Sequence, residues 1–171
     1  MNDTEYLVEL SKREVNANTS LEGASLVLLS RLFLDSKHLA PMDGALALVK
    51  KMHEHFGIAY KAKKPCALFR EHLNFRVKAL KEEADELNKT RVIHKQADAL
   101  IDSIIFALGS LEQMGLLHLF HEMFQEVMKA NMQKQVVNDP KESKRGYGVD
   151  LKKPKGWKAP NLKAIIEREN A

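Results

Sequence analysis

Residues 66–88 read Cys-Ala-Leu-Phe-Arg-Glu-His-Leu-Asn-Phe-Arg-Val-Lys-Ala-Leu-Lys-Glu-Glu-Ala-Asp-Glu-Leu-Asn. Within this stretch Phe69, Leu73, Val77, Leu80, Ala84 and Leu87 recur at intervals of 4, 4, 3, 4 and 3. That spacing is one face of an α-helix. A short link over 89–93 leads to a second periodic stretch, 94–113, in which Ala97, Leu100, Ile101, Ile104, Leu108 and Leu111 are expected to face inward. Gly115 then separates it from a helix expected over 116–134, patterned on Leu119, Phe120, Met123, Phe124 and Val127. Upstream, Met42, Ala45, Val49, Met52 and Phe56 repeat helically over 43–56, between a break at Pro41 and a stop at Gly57. Four helices with short links predict an all-α chain built on a four-helix-bundle core.

The flanks differ from this core. Residues 2–15 read as a short helix, and 21–34 as a helix apolar around so much of its circumference that something must bury it. Beyond Val137, the residues Asn138, Asp139, Pro140, Gly146, Gly148, Pro154, Gly156 and Pro160 forbid continuous helix, although 161–169 predicts a short closing one. The expected organisation is an N-terminal helical extension (1–40), a helical core (41–137) and a basic tail packing on that core (138–171).

Composition agrees with helices. Of 171 residues 44% are hydrophobic, only 6% are aromatic, and Gly and Pro together number 13, too few for a turn-rich sandwich or barrel. Cys66 is the single cysteine, which excludes an internal disulfide and a Cys-based zinc site. A reducing compartment follows. The first ten residues carry Asp3, Glu5 and Glu9 and do not read as a signal peptide, and no apolar run is long enough to span a membrane. These features predict a cytoplasmic protein. The formal net charge of +4 is unevenly spread, with ten Lys or Arg against Asp139, Glu142 and Asp150 between Lys129 and Lys163. Such a segment suits either solvent or a polyanion.

Acidic residues sit where a helical core least favours them. Glu82, Glu83 and Glu86 form Glu-Glu-x-x-Glu, with Glu83 and Glu86 three apart and therefore neighbours on the helix surface. Asp98 and Asp102 are four apart in the next helix, and Asp102 lies among Ile101, Ile104 and Ile105. Asp is a poor helix-interior residue, and an ionised carboxylate beside a core is costly unless paired or bound to a metal. Two antiparallel helices can bring the groups together, and the repulsion among them is relieved by a hard divalent cation. Oxygen ligands without Cys, and without His at a matching position, favour Mg²⁺ over Zn²⁺. His118 and His121 are three apart, but no third ligand completes a site with them.

With these residues in place, the chain resembles the MazG-like all-α nucleoside triphosphate pyrophosphohydrolases, which include the dimeric dUTPases and the phosphoribosyl-ATP pyrophosphohydrolases. The resemblance rests on Glu82-Glu83-x-x-Glu86, the acidic helix ending in Asp102, and Glu126-Val-Met-Lys-Ala-Asn131-Met132-Gln-Lys134. It is extended by Ser143-Lys144-Arg145-Gly146, by Lys153-Pro154-Lys155-Gly156-Trp157-x-x-Pro160, and by Met52-His53-Glu54-His55-Phe56-Gly57. It covers about 43–162. One position departs: if Asp102 is the Asp of the family's Glu-x-x-Asp, then Ala99 stands at the Glu, and Asp98 is the substitute on the same face.

The resemblance implies a Mg²⁺-dependent enzyme, with Mn²⁺ as a possible substitute, that cleaves a nucleoside triphosphate to the monophosphate and pyrophosphate. It implies Glu83, Glu86, Asp98 and Asp102 as metal ligands and Glu82 as the residue that orients or deprotonates the attacking water. Arg76, Asn131, Lys134, Lys153 and Trp157 are the expected substrate-binding residues. A homodimer or homotetramer is expected, with no membrane partner and with nucleic acid disfavoured by the carboxylates. The competing readings are a catalytically silent helical bundle, which Ala99 favours, and a nucleic-acid-binding module using the basic tail.

Overall fold

The computed structural model describes residues 12, 41–58, 61–137, 139–148 and 150–169. The helices expected over 2–15 and 21–34 lie outside the described residues, Lys12 apart. The chain is all-α with minimal strand. Its helices are α1 (Pro41–His55), α2 (Arg70–Lys89), α3 (Ile93–Gln113), α4 (Phe120–Met132) and α5 (Leu162–Arg168). Short 3₁₀ turns occupy Leu117–Leu119 and Pro140–Glu142, and two two-residue strands, β1 (Gln135–Val136) and β2 (Leu151–Lys152), pair antiparallel with Gln135 opposite Lys152. No single described helix is long and apolar enough to cross a membrane.

These elements fall into two compact units. The first comprises α1, α2 and α3 up to Glu112; the second comprises Ala62–Ala67 and everything from Gln113 onward. In the first unit α1 ends where expected, at Gly57, whose φ of 62° is the left-handed conformation that glycine adopts without steric cost. The α2–α3 link is fastened by Thr90. Its hydroxyl accepts from the Val92 amide at 3.1 Å, and its carbonyl accepts from the Gln96 side chain at 3.1 Å. So short a link returns the chain antiparallel. Phe75 meets Phe106 edge-on with ring centroids 6.4 Å apart, and Arg76 comes beside Gly109.

The buried face of α2 is not the apolar stripe. Arg76 and Ala79 are buried, whereas Phe69 (61% exposed), Leu73, Val77 and Leu80 face outward. On α3 the interior holds Ala99 and Leu108, while Leu100, Ile101 (56% exposed) and Ile104 are exposed. The expectation that Leu100, Ile101 and Ile104 face inward is corrected here. The large apolar side chains of both helices lie instead on exposed faces.

In the second unit the expected 116–134 helix starts as the 3₁₀ turn and becomes α-helical only at Phe120. Neither Leu116 nor Leu119 supplies a side-chain cap, and the first turn tightens instead, with the Leu119 amide donating to the Leu116 carbonyl at 3.0 Å. Leu116, Leu117, Leu119, Met123, Ala130, Val137 and Ile165 form its buried core. The tail is tied to α4 by named bonds. The Trp157 indole N–H donates to the Ala130 carbonyl at 2.7 Å, the Asn161 amide to Glu126 at 3.0 Å, and Arg168 makes a two-pronged pair with Glu122 at 2.6 and 3.1 Å.

Candidate active site

α2 and α3 bring the acidic residues of the two helices into one electrostatic neighbourhood. Glu83 is half-buried on the same side of α2 as Arg76 and Ala79; Asp102 is half-buried on α3; Glu82, Glu86 and Asp98 are exposed. Desolvation, followed by the charges of Asp102, Glu86, Glu82 and Asp98, holds the Glu83 carboxyl above the usual carboxylate range. The charges that act on Glu83 come from both helices. Ala99 is only 2% exposed and belongs to the packed interior. A glutamate there would have to enter that packing, whereas Asp98, one residue earlier, lies on the open side.

Two turns before Glu83, on the same face, Arg76 is 6% exposed and not on the surface. Burial lowers its pKa, although a guanidinium stays charged throughout the physiological range. It belongs to a buried polar group that the sequence did not single out. His53, 4% exposed, points its ring at Gly109, and its Nε2 is enclosed without a hydrogen-bond partner among the described residues. A β-carbon on Gly109 would lie 2.8 Å from that Nε2 and 3.1 Å from an Arg76 terminal nitrogen. Glu112 is also buried and pairs with Lys61 at 2.9 Å. The available signal was Gly109 itself, since a glycine inside a helix costs about 1 kcal/mol relative to alanine and tends to mark a close approach.

His53 makes stability depend on pH. Burial first, then the Arg76 charge, lower its pKa from 6.5, and Glu112 opposes them. Below pH 6.5 the unfolded chain therefore takes up a proton that the folded chain refuses. Stability is expected to fall as pH drops from 6.5 towards the folded-state pKa, and to be flat above that window with respect to this group. Thermal melts of wild type and His53→Gln across pH 5 to 7.5 check it; an equally steep acid limb in the variant would remove His53 as the cause.

The C-terminal candidates lie in the second unit. Asn131, Lys134 and Lys153 line one cavity of about 1010 Å³, together with Lys144, Arg145 and Lys152. Trp157 lies beside it. Lys153 stands 4.1 Å and Lys134 5.9 Å from the indole ring centroid. The ring thus holds two of the candidate lysines and secures the tail through Ala130. Lys144 and Arg145 were visible in the Ser143–Gly146 motif and Lys152 only as part of a basic run, but none was assigned a role, because that depends on which acid each one meets. His118 pairs with Glu169 at 3.2 Å.

Residues 49–131 match the family model of phosphoribosyl-ATP pyrophosphohydrolase. Over those residues, just under half of the chain, it is similar to this family. The match begins in α1 and ends at Asn131 in α4, so it contains all five carboxylates and Arg76, while the tail lies outside it. No curated protein matches the chain. Members of the phosphoribosyl-ATP pyrophosphohydrolase family, which belongs to the MazG-like all-α superfamily, are pyrophosphohydrolases that cleave phosphoanhydrides and are typically Mg²⁺-dependent.

The donor set fits such an ion in chemistry. It is made of carboxylate oxygens alone, and their mutual charge already burdens Glu83. Among the described residues no three His, Cys, Asp or Glu side chains converge as a ready-made enclosure. Mg²⁺ does not require one, because it retains waters and binds through one or two carboxylates together with substrate phosphates.

Proposed function

We propose that the chain is a Mg²⁺-dependent nucleoside triphosphate pyrophosphohydrolase, converting an NTP or dNTP and water to the monophosphate, pyrophosphate and a proton. The observation that carries this reading is the Glu83 carboxyl, which feels Asp98 and Asp102 from one helix and Glu82 and Glu86 from its own, inside the family-matched segment. When bound, Mg²⁺ would neutralise phosphate charge and acidify water. Glu83, Glu86, Asp98 and Asp102 are the residues to hold it, with Asp98 taking the part of the family's Glu. The interior position of Ala99 supports that assignment and weakens the case for a silent bundle. Glu82 is exposed at the edge of the cluster, free to orient the attacking water and receive its proton. Arg76, two turns away on the same face, supplies fixed positive charge at the inner end of the helix pair.

In this reading the 41–137 core performs the chemistry, while Asn131, Lys134, Lys153 and Trp157 handle the nucleotide near the 138–171 tail. A cytoplasmic location accompanies it, where nucleoside triphosphates are made and consumed. Pyrophosphate release, screened over the common NTPs and dNTPs with Mg²⁺ and with Mn²⁺, tests the activity. Phosphoribosyl-ATP, which gives the family its name, belongs in the same screen. Silence on every substrate in both metals would end the enzyme reading.

The partner surface is part of the proposal. The exposed stripes Phe69–Leu73–Val77–Leu80 on α2 and Leu100–Ile101–Ile104 on α3 are too continuous for the scattered apolar residues of an ordinary surface. A second copy of the chain is the proposed cover, giving a homodimer or homotetramer. Light scattering is expected to give a multiple of the 19.4 kDa chain mass. Replacing Ile101 and Ile104 by Glu is expected to lower it to one chain, since charge at an apolar contact is costly. A wild-type mass of one chain would remove the oligomer.

A further inference from the structure

The closing segment of the second unit is laid along α4 by a regular series of polar contacts. The Trp157 indole N–H donates to the Ala130 carbonyl at 2.7 Å, and the Asn161 amide donates to the Glu126 carboxylate at 3.0 Å. Arg168 grips Glu122 through two N–H···O bonds of 2.6 and 3.1 Å, and Glu169 meets His118 at 3.2 Å. On α4 and the turn before it the positions descend as 130, 126, 122 and 118. On the tail they ascend as 157, 161 and 168–169, with the buried Ile165 between. Steps of four keep to one face of a helix, so the two runs lie antiparallel. Local chemistry explains the path. Ala130 is in the last turn of α4, where a helical carbonyl has no partner of its own, and the indole supplies one. Asn161 caps α5 by accepting the Ala164 amide at 3.2 Å.

What this seam lacks is apolar packing. Of the seven residues of α5, Ile165 alone is buried. A groove of about 320 Å³ runs between the helices, lined by Glu122, Gln125, Glu126 and Lys129 on one bank and by Asn161 and Arg168 on the other. The ion pair that closes it stands in water, with the Arg168 and Glu122 side chains 59% and 45% exposed. Exposed pairs contribute little each, and salt weakens them. A helix of seven residues is also too short to persist by itself. The chain just before it is held differently. Leu151 and Lys152 pair with β1, and the amide of the buried Val137 donates to the Asp150 carbonyl at 2.8 Å. Between the firm strand pair and the loose seam lies a tight turn. The Trp157 amide donates to the Pro154 carbonyl at 3.1 Å, and Gly156 has a φ of 82°.

We infer that residues 153–169 form a strap that undocks from α4 as one piece, pivoting at the Pro154–Trp157 turn while the rest of the unit stays folded. Ionic strength sets how often it is open, because the bonds that hold it are largely between exposed charges. Opening carries the Trp157 ring away from Lys134, which stays with α4 and β1. The strap thereby controls whether Trp157, Lys134 and Lys153 stand together. That these side chains handle a nucleotide rests on the pyrophosphohydrolase reading; the undocking does not.

Trypsin cleavage after Lys163, inside α5, reads the open state, because a docked helix resists the protease and the rate follows the open population. Full-length protein is used, with rates divided by those of a free peptide of the same sequence. Cleavage is expected to rise about threefold between about 0.05 M and about 0.5 M NaCl. Acrylamide quenching of Trp157, the only tryptophan in the chain, should rise with it. Arg168→Glu sets a carboxylate against Glu122 and is expected to speed the cut about tenfold, with the melting of the whole chain unchanged. Adding Glu122→Arg is expected to return the rate to within about twofold of wild type. A cut that salt and Arg168→Glu leave unchanged overturns the strap, as does one that accelerates only in denaturant that unfolds the whole chain. A charge-swapped pair that is cleaved as fast as Arg168→Glu alone does the same. The salt series on wild type decides the matter even where Arg168→Glu does not fold. For the nucleotide, Arg168→Glu is expected to raise KM about fivefold at constant kcat, and the swapped pair to restore it. An unchanged KM beside a fast cut overturns the consequence for the nucleotide. A wild type silent on every substrate sinks the enzyme reading, and the cleavage rates alone then decide the strap.

Discussion

Glu83→Gln, assayed with Mg²⁺ on the substrate that turns over fastest, is expected to lose at least about a hundredfold in kcat/KM, a transition-state loss of about 2.7 kcal/mol. The exchange keeps the size and one carbonyl oxygen of the side chain and removes the charge. Glu83 is the carboxylate on which the other four act, so it is the place where a cation gains most and where its loss is felt most. Asp102→Asn is expected to be similarly damaging, since Asp102 acts on Glu83 more strongly than any of the other charges. The two changes disable one unit, and the double variant should cost little more than either single change. Stability separates this from misfolding. Removing one of several like charges relieves repulsion in the metal-free protein, so its melting temperature should hold or rise, while the stabilisation conferred by added Mg²⁺ shrinks. Full activity in both variants would place the chemistry elsewhere in the chain.

The helices were legible because their signal is local. Apolar side chains recurring at three and four residues need only the chain's own geometry, and 66–88 against Arg70–Lys89 differs chiefly in an extended first turn. The direction of burial was not legible in the same way. A stripe such as Phe69–Leu73–Val77–Leu80 announces that it must be covered, but the same pattern serves a contact within the chain and one between chains. Only the burial of Arg76 and Ala79 discriminates, and a buried arginine leaves no periodic mark. The carboxylates were legible through the spacings of 82, 83 and 86 and of 98 and 102. The influence of both helices' charges on Glu83, and the burial of Ala99, depended on the rotation of each helix about its axis. The same limit held in the tail, where a basic run was evident but the pairing of Lys152 with Glu142 and Arg145 with Asp150, which leaves Lys144 unmatched, is a three-dimensional fact.

Gly109→Ala brings two opposed effects into one position, and their sizes decide the outcome. In the unfolded chain alanine loses less backbone freedom than glycine on entering a helix, which favours the substitution by about 0.8–1.0 kcal/mol. In the folded chain the added carbon would lie 2.8 Å from His53 Nε2 and 3.1 Å from both His53 Cε1 and an Arg76 nitrogen. Forcing extra volume into a packed interior costs about 1–3 kcal/mol. A ring at the surface could swing away cheaply, but His53 is 4% exposed and Arg76 6%, so each would have to move against its neighbours. The net expectation is a loss of up to about 2 kcal/mol, the overpacking cost less the helix gain, and a fall in melting temperature of about 2–4 °C for each kcal/mol lost. The cause can be isolated by changing His53 as well. In a His53→Ala background the collision with the ring disappears, and Gly109→Ala should become neutral or mildly stabilising, so that the same substitution reverses sign with its neighbour. A Gly109→Ala variant that is destabilised equally in both backgrounds would show that something other than the His53 ring requires glycine here. A variant more stable than wild type in the native background would mean that the ring moves aside freely, and the buried group around Arg76 would then be far less rigid than its enclosure implies.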